Sequence, residues 1–418
     1  MLGLMTSYPS VSKAPIVGIG ATAARALTAE FSRHNAATSA LVIGADHASL
    51  VVASAVEALL PGDMLTLVAG ERSTADLLRD HIAGLGSWIA DRVKVVDTLD
   101  EAQPADVVIV GEPVTGTALE VRVLLDRLGK YLTDGAVVTL ATPAVPGRTG
   151  GAAAELFRQS ALFGVGSDLV VRNSPPLRVH KLRYTAADPS VASGLAPAYR
   201  TSSVPVTRTM HLDSNGVAAA GIALGLAVLA RAARPKSKLW LLPALAAAPV
   251  AAFFRDPERE VPTDPNAIVA SADGRVLSVE RMADARFGDG EFLRIAVFLS
   301  VLDVHVNRVP VAGRVADYFV EDGGYANAMT AAAEHNVAAY TVLDTAHGTV
   351  VVAQRTGLIA RRIVQRVPIG TLVARGERMG LIRFGSRTDV YLPADRADPL
   401  VTVNEKVVGG ASVLARWR

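Results

Sequence analysis

A Gly–Ser pair near the C-terminus, Gly385 and Ser386, has the chemistry to break its own peptide bond. Gly385 has no side chain to shield its carbonyl, and glycine can adopt strained backbone angles. The Ser386 hydroxyl could attack that carbonyl and move the acyl group from nitrogen to oxygen. β-Elimination of the resulting ester would leave dehydroalanine, which hydrolyses to a pyruvoyl group and ammonia. A pyruvoyl carbonyl forms a Schiff base with an amine and accepts electrons, so the pair could generate a cofactor.

A Gly–Ser dipeptide alone is most often a turn, and it is the neighbouring motifs that make this one informative. The motifs FFRDPER (253–259), SADG (271–274), FLSVLDVHVNRVPVAG (298–313), ARRIV (360–364) and LIRFGSRTDVYLP (381–393) occur in this order. Together they closely resemble the short-form bacterial phosphatidylserine decarboxylases. The resemblance covers roughly half of the chain, from about residue 206, and includes a β-rich fold preceded by an apolar hairpin.

The resemblance implies a role for three residues. Ser386 matches the processing serine that becomes the pyruvoyl group, and Asp273 matches the acidic residue that supports proton transfer during processing. His305 matches the histidine tied to decarboxylation, since an imidazole near its ordinary pKa can shuttle protons. Without the resemblance, Asp273 would be interpreted as a turn residue and His305 as a satisfied strand histidine. The implied reaction converts phosphatidylserine to phosphatidylethanolamine and CO2.

Position 308 departs from the family pattern. Longer members have a second histidine three residues after the first, where it serves self-cleavage, but this chain has Arg308. Arginine does not act as a base at neutral pH. Either His305 serves both steps, which we favour, or a group such as His335 or His347 replaces the missing histidine.

Two apolar runs, residues 216–230 and 239–254, predict a helical hairpin with a basic turn. Each run is shorter than the roughly 20 residues needed to cross a bilayer squarely, and Pro243 and Pro249 interrupt the second. The alternatives are a buried core hairpin and one that associates with the membrane; we favour the latter, at the cytoplasmic side of the cell membrane. Candidate substrate-binding residues follow the hairpin or His305: Arg255, Arg259, Asn307 and Arg308.

Composition excludes several classes of site and partner. The 418 residues carry 42 basic and 40 acidic side chains, so no global field indicates nucleic acid. The absence of cysteine excludes disulfides, thiolate nucleophiles and Cys-based metal sites, and no metal site is predicted. The first 15 residues lack the pattern of a secretory signal. Self-cleavage predicts a heterodimer of a large chain (1–385) and a small chain (386–418), while homo-oligomerisation is left open.

Residues 1–185 predict a doubly wound α/β domain. Apolar strands at 40–44, 64–68, 93–96, 107–110 and 137–140 alternate with helices at 49–60, 73–85 and 117–128, which implies a parallel sheet covered on both faces. This five-strand pattern resembles the Rossmann-like methyltransferases that bind S-adenosylmethionine. Gly44 matches their glycine-rich turn and Glu71 their ribose-binding acid, but one glycine is a weak motif. A working methyltransferase, a degenerate domain and an unrelated α/β function stay open.

The rest of the chain divides into a linker (186–210), the hairpin (211–254) and a mostly-β domain (255–418). Within the β domain, only residues 325–334 and 358–367 are expected to form helices, and strands are expected at 294–299, 349–354, 383–392 and 407–414. The leading function is a lipid decarboxylase. The alternatives are a lipid-modifying methyltransferase whose β domain is a lipid-binding module, and a membrane scaffold without catalysis.

Overall fold

The computed structural model describes residues 18–144, 151–198, 203–358, 362–383 and 386–418. The described chain forms an α/β domain, a helical hairpin and a β domain, in that order. The elements of the α/β domain are α1 (Ala21–Ser32), β1 (Ser39–Ile43), α2 (Leu50–Glu57), β2 (Met64–Val68), α3 (Arg72–Gly84), α4 (Ser87–Ala90), β3 (Val93–Val96), β4 (Ala105–Pro113), α5 (Ala118–Leu128), β5 (Leu132–Pro143), α6 (Ala152–Phe163), β6 (Gly164–Val170) and β7 (Leu177–Leu182).

The α/β sheet has the strand order β3-β2-β1-β4-β5-β7-β6. The direction in which strands are added to the sheet reverses between β1 and β4, although these two strands are parallel. Successive residues of β1 contribute to different apolar clusters, Ala40 and Val42 to one and Leu41 and Ile43 to the other, so both faces are covered. The predicted doubly wound fold is therefore confirmed. The five predicted strands, β1 to β5, are parallel to one another. The sequence prediction missed two further strands, of which β7 runs antiparallel to both β5 and β6. The polar residues that interrupt β6 hid these two strands from the apolar pattern.

The segment predicted as a linker packs between the α/β domain and the β domain. It contains a 3-10 helix (Pro189–Gly194), β8 (Val204–Pro205) and the start of β9 (Met210–Leu212). Its residues Ala187, Ala192 and Leu195 are buried against Leu372 and Ala374 of the β domain. This part of the chain is thus a packed spacer between the two domains and not a free tether.

A buried arginine joins the two domains. Arg33, at the C-terminal end of α1, donates to Glu377 over 2.5 Å and to the Leu372 carbonyl over 3.3 Å. Arg183 donates to the Gly370 carbonyl, and Thr371 donates to the Val165 carbonyl. Since these groups are removed from water, each has to find its partner across the interface.

The predicted hairpin is formed by α7 (Ser214–Ala233) and α8 (Leu241–Phe253). At 20 residues, α7 is about 30 Å long and apolar enough to cross a membrane, with only 11% of its most apolar window buried. The sequence prediction of two shorter runs was wrong for α7, because polar residues at both of its ends also adopt helical geometry. Pro243 does not interrupt α8, because it lies in the first turn, where a backbone N–H has no intrahelical partner.

The β domain contains the remaining strands. They are β10 (Arg255–Pro257), β11 (Ala267–Val269), β12 (Gly274–Ala283), β13 (Glu291–Leu299), β14 (Val306–Arg308), β15 (Gly313–Glu321), β16 (Ala338–Thr345), β17 (Gly348–Arg355), β18 (Ile363–Gln365), β19 (Leu372–Val373), β20 (Arg378–Ile382), β21 (Ser386–Pro393), β22 (Ala397–Pro399), β23 (Lys406–Val407) and β24 (Val413–Trp417).

An eight-stranded sheet with the order β19-β15-β16-β17-β21-β13-β12-β23 forms the body of this domain. The three-stranded sheet β14-β20-β18 carries the motif residues that follow His305. Three sequence predictions were wrong here. The predicted helix at 325–334 is a loop ending in a 3-10 helix (Ala331–His335), the described part of 358–367 contains β18, and the predicted strand at 407–414 is divided by a turn. Tertiary strand pairing overrides weak local preference in these segments.

The Arg33–Glu377 pair predicts a measurable coupling between the domains. Arg33→Met should lower the free energy of unfolding by about 3–5 kcal/mol, because it leaves the Glu377 carboxylate buried without its cation. Adding Glu377→Gln should recover part of this loss. Urea unfolding would measure both effects, with Arg79→Met, which removes an exposed ion pair, as the control. An unchanged urea midpoint for Arg33→Met would show that the pair does not hold the domains together.

Candidate active site

Strand register brings the three predicted catalytic residues to one end of the eight-stranded sheet. Ser386 begins β21 and lies opposite Leu299, the last residue of β13. Asp273 directly precedes β12, whose first residues pair near the same end of β13. His305 follows β13 after a five-residue loop (300–304). Residues separated by more than a hundred positions in the sequence therefore lie at the same end of the sheet.

The Ser386 hydroxyl is buried and has no hydrogen-bond partner among the described residues. A buried hydroxyl without a partner costs free energy, so the site keeps a group ready for chemistry at the expense of stability. Gly385, the other half of the predicted cleavage site, lies outside the described residues. Ser386 thus presents an unpaired hydroxyl at the start of a central strand, and its conversion to a pyruvoyl group stays a prediction.

A polar cluster lies on the same face of the sheet as Ser386. Alternation along β21 puts Ser386 and Thr388 on one face, and Gln354 of β17 is opposite Thr388. Gln354 donates to the Asn307 amide oxygen over 2.6 Å, and Asn307 is 3.5 Å from the Thr388 hydroxyl. The Gln354 amide oxygen has no partner in the described parts of the chain. The cluster supports the prediction that Asn307 belongs to the site.

His305 is held in a defined orientation. Its backbone carbonyl accepts from Ile382, four residues before Ser386, and its Nδ1–H donates to the Asp303 carbonyl over 2.9 Å. The ring lies 4.2 Å from that of Phe253 at the end of α8. Burial lowers the pKa of His305 to about 4, so the ring is neutral near pH 7. With Nδ1 as the donor, Nε2 is the nitrogen that can accept a proton.

Asp273 is anchored by two donors. Its carboxylate accepts from Arg259 over 2.7 Å and from the Gly409 backbone over 2.8 Å. Burial raises the pKa of Asp273, the positive charge of Arg259 opposes the rise, and the negative charge of Asp303 adds to it. The following residue must be glycine, because a Cβ on Gly274 would stand 1.9 Å from the Phe298 carbonyl oxygen. Asp273 is therefore fixed in place and shifted toward the form that can hold a proton.

Arg308, one of the residues predicted to bind substrate, forms hydrogen bonds and an ion pair inside the protein. Its guanidinium is buried and donates to Asp256 over 3.0 Å and to the carbonyls of Pro257 and Gly376. Asp256 also pairs with Arg378. The guanidinium is thus engaged by the protein in this conformation, and a headgroup contact by Arg308 stays a prediction. The cause is tertiary: β14 pairs with β20 and turns Arg308 toward the segment after the hairpin.

The two other arginines predicted to bind substrate lie at the edge of the site. Arg259 is about one-fifth exposed and pairs with Asp273. Arg255 follows α8 directly and donates to the carbonyls of Ala252 and Leu302. The contact of either residue with a phosphate remains a prediction.

Two histidines were considered as replacements for a second catalytic histidine, and neither is buried near Ser386. His347 stacks on Trp417, with ring centroids 4.5 Å apart, and directly precedes β17. The other end of β17 is Arg355, which lies opposite Arg387, the residue after Ser386. Eight strand residues separate the two ends, or about 26 Å. His335 follows Glu334, which contacts Arg387, but its side chain is exposed. Of the three histidines, His305 is the one buried at the Ser386 end.

The predicted nucleotide-binding residues lie along one edge of the α/β sheet. Gly44 follows β1 with a φ of +76°, and Glu71 precedes α3 after β2, with its side chain exposed. A Cβ on Gly44 would stand 3.3 Å from the side chain of Glu112, which comes from the end of β4. Both residues are therefore beside the switch point between β1 and β4, where doubly wound sheets bind ligands, but Glu112 occupies space next to the glycine.

Sequence reasoning missed two members of the site. Asp256 lies within the FFRDPER motif and pairs with both Arg308 and Arg378. Nothing in the sequence indicated that this aspartate would pair with an arginine 52 residues away. Gln354 lies near the end of an otherwise apolar strand, and a polar residue at that position could have indicated a place in the site. Within the described residues, no group of three or more His, Asp or Glu side chains is arranged to hold a metal ion.

Comparison with known proteins identifies relatives of the hairpin and β domain. The family model described as phosphatidylserine decarboxylase matches residues 247–415. A phosphatidylserine decarboxylase proenzyme of Erythrobacter litoralis is 47% identical over 181 residues, which are 40% of this chain and 72% of the relative. A proenzyme of the same name from Mycobacterium avium is 40% identical over 238 residues, which are 55% of this chain and 95% of the relative.

Solved structures of methyltransferases are similar to the α/β domain. The O-methyltransferase TomG from Streptomyces achromogenes is 17% identical and covers 40% of this chain and 82% of its own, with a TM-score of 0.29. The mitomycin 7-O-methyltransferase MmcR gives the same TM-score at 18% identity, over 39% of this chain and 54% of its own. These scores are too low to carry an argument, so the account of this domain rests on its own strand order.

The lowered pKa of His305 predicts a specific loss of stability in acid. Between about pH 6.5 and pH 4 the unfolded chain binds a proton at this histidine and the folded chain does not, so stability falls as pH falls. His305 should contribute a loss of about 2 kcal/mol in unfolding free energy between about pH 7.5 and pH 5. Denaturant unfolding at the two pH values would measure this loss, which His305→Phe should remove and exposed His335→Gln should not. An equal pH dependence in wild type and His305→Phe would contradict the assignment.

Proposed function

The chain belongs to the phosphatidylserine decarboxylase family, and we propose that its β domain decarboxylates phosphatidylserine after cleaving itself between Gly385 and Ser386. The observation that carries the proposal is the buried, unpartnered Ser386 hydroxyl at the sheet edge shared with Asp273 and His305. A lipid-binding module or a scaffold has no need for such a hydroxyl, because it lowers stability without forming a contact.

Self-cleavage proceeds through the atoms of Gly385 and Ser386. The Ser386 oxygen forms a bond to the Gly385 carbonyl carbon, the C–N bond breaks, and the hydroxyl proton passes to the freed amine. Removal of the Ser386 Cα proton then expels the Gly385 carboxylate and leaves dehydroalanine, which takes up water and releases ammonia. Asp273, with its raised pKa, supports the proton transfers, and neutral His305, which follows β13 at the same end of the sheet, is the base. His305 therefore serves both processing and turnover, since Arg308 is held by Asp256.

A pyruvoyl group at position 386 supplies a carbonyl that condenses with the serine amine of the lipid and accepts the electrons of the breaking bond to CO2. The chain's own residues do the rest. Because Nδ1 of His305 donates to the Asp303 carbonyl, Nε2 is the atom that would carry the proton that replaces CO2. Asn307 and Gln354 line the polar face next to the reacting centre. Burial excludes water, which strengthens each of these interactions.

The register of β21 supports a stable pair of chains after cleavage. The small chain would begin at Ser386 and would contain β21 to β24. Because β21 pairs with β13 on one side and β17 on the other, it is bound as a central strand. Its apolar residues Val390 and Leu392 belong to the main core of the domain. The small chain therefore remains part of the enzyme as a heterodimer with residues 1–385.

The hairpin supports a location at the membrane, where the substrate resides. Large apolar side chains of α7 and α8 are exposed, including Ile222, Val228 and Leu245. Its base is fixed to the β domain by Asp213 with Arg366 and by Asn215 with Arg383. A surface of this kind on a monomeric soluble protein is unfavourable. We infer that the hairpin anchors the site at the cytoplasmic face of the cell membrane, with Arg255 at headgroup level.

Ser386→Ala tests the processing mechanism. The variant should remain one full-length chain without decarboxylase activity, because alanine has no oxygen for the acyl transfer. The wild type should give two chains under denaturing conditions. Residues 386–418 would appear as a 33-residue piece (418 − 386 + 1) that is lighter than its serine form by the mass of ammonia and resists Edman degradation. Intact mass measurement and release of CO2 from phosphatidylserine read out both effects.

The matched control is Ser278→Ala on β12 of the same sheet, which should be cleaved and active. Circular dichroism would establish that the uncut Ser386→Ala protein is folded. Decarboxylation by folded Ser386→Ala would contradict the proposal, and so would a wild-type chain that remains uncleaved and active.

A second candidate function is binding of S-adenosylmethionine by the α/β domain. The observation that favours it is Gly44 in a left-handed conformation at the switch point of the sheet. Against a working site stands Glu112, whose side chain lies next to Gly44. Phosphatidylethanolamine, the decarboxylation product, has an amine that such a domain could methylate.

Equilibrium dialysis of the full chain with labelled S-adenosylmethionine tests this candidate. If the domain binds the cofactor, Gly44→Val should reduce binding at least tenfold, since a branched side chain is strained at this φ and would clash with Glu112. Decarboxylation should be unchanged in this variant. An absence of binding at millimolar ligand would rule out the methyltransferase and leave a domain that serves assembly or regulation.

A further inference from the structure

The loop between β13 and β14 exposes two apolar side chains beside the active site. Leu302 is 82% exposed, the largest value for a large apolar side chain among the described residues, and Val301 is 45% exposed. Three residues after Leu302 comes His305, which is buried. Apolar side chains at a loop tip gain nothing from water, so this loop is built for a surface that covers it.

The loop is held in a fixed turn. The Asp303 carboxylate accepts from the Ser300 backbone over 2.8 Å and from the Ser300 hydroxyl over 2.7 Å. The Asp303 backbone N–H donates to the Ser300 carbonyl over 3.0 Å. These bonds leave Val301 and Leu302 at the two central positions of the turn, pointing outward together. Their exposure is therefore a property of an ordered turn.

Arg255 ties this turn to the end of the hairpin. Its guanidinium donates to the Leu302 carbonyl and, over 3.3 Å, to the Ala252 carbonyl in the last turn of α8. Phe253, next in α8, contacts the His305 ring. The loop tip is thus adjacent to the exposed apolar surface of α7 and α8, with a cation between them. An apolar surface with arginine at its edge is the pattern of elements that lie at the boundary of acyl chains and headgroups.

We propose that Val301 and Leu302 insert into the membrane surface beside the hairpin and hold the His305 end of the sheet against the headgroups. The occupant of this surface is a phospholipid bilayer, because the loop is continuous with the apolar hairpin and Arg255 lies between them. The Asp303 carboxylate of the turn is engaged by Ser300. The inference rests on the proposed membrane location of the enzyme and adds a second contact to it. The hairpin anchors the chain, and the loop fixes the height of the catalytic edge above the acyl chains.

The loop also limits where the substrate can react. Three residues of extended chain span at most about 10 Å, so His305 lies within that distance of the inserted Leu302. A serine headgroup at the bilayer surface is then within reach of the catalytic edge while its acyl chains stay in the membrane. Seating by the loop would therefore lower the apparent KM for bilayer lipid without participating in the bond changes.

The test compares Leu302→Asp with wild type in the full, processed chain. Sedimentation with vesicles of phosphatidylserine and phosphatidylcholine should show binding about tenfold weaker or more, because a charge replaces a leucine that insertion into the membrane would bury. The apparent KM for vesicle phosphatidylserine should rise by a similar factor, while turnover of a short-chain phosphatidylserine dispersed as monomers should change less than twofold. Leu302→Phe should restore vesicle binding.

Leu400→Asp is the matched control, since it changes a leucine that is 57% exposed next to β22 and not beside α8. It should bind vesicles as wild type does. Vesicle binding by Leu302→Asp equal to wild type would overturn the proposal. An equal loss of turnover on vesicles and on dispersed lipid would overturn it too, by indicating a role in catalysis, as would a changed oligomeric state with unchanged vesicle binding.

A further comparison separates this inference from the proposed chemistry. Vesicle binding can be measured in the Ser386→Ala background, where no processing is expected. The Leu302→Asp defect should persist there, because insertion depends on the loop and not on the pyruvoyl group. An absence of cleavage in wild type with a normal loop effect would defeat the proposed chemistry alone, and the reverse would defeat the loop alone.

Discussion

The antiparallel register of β12, β13 and β21 is the constraint on which the site depends. It sets Ser386 opposite Leu299 and brings the start of β12 to the same end of the sheet. A shift of one residue would turn Ser386 to the opposite face and expose the apolar residues of β21 to the wrong side. The register is specified because Val390 and Leu392 pack into one core while Tyr391 packs into another.

Buried ion pairs connect this sheet edge to the rest of the chain. The segment after the hairpin contributes Asp256 to Arg308 and Arg378, and Arg259 to Asp273. Arg308 also donates to the carbonyl of Gly376. The next residue, Glu377, pairs with Arg33 of the α/β domain. Since a buried charge without its partner is costly, each of these segments must be in place before the others are stable. The α/β domain, hairpin and catalytic edge are thereby coupled through a few guanidinium groups.

The part of the site that was predicted from the sequence is the part carried by contiguous motifs. Ser386, Asp273 and His305 each occur in a short motif whose residue types indicate their chemistry. The alternation of apolar strands with helices indicated the α/β class. The pairing of Arg308 with Asp256 was not predicted, because charge in a sequence does not reveal which carboxylate an arginine will meet. The prediction of a helix at 325–334 was wrong, because this alanine-rich segment forms a loop and a 3-10 helix that pack beside β17.

The sequence by itself determined the reactive groups, the apolar hairpin and the order of the domains, because these depend on residue type and local periodicity. The tertiary structure alone decided which groups meet. It assigned Arg259 to Asp273, committed Nδ1 of His305 to the Asp303 carbonyl, and brought Gln354 to the face of Ser386. It also directed Leu302 outward beside α8. The physical reason is that burial, strand register and ion pairing join residues far apart in the chain, and local sequence carries no record of those distances.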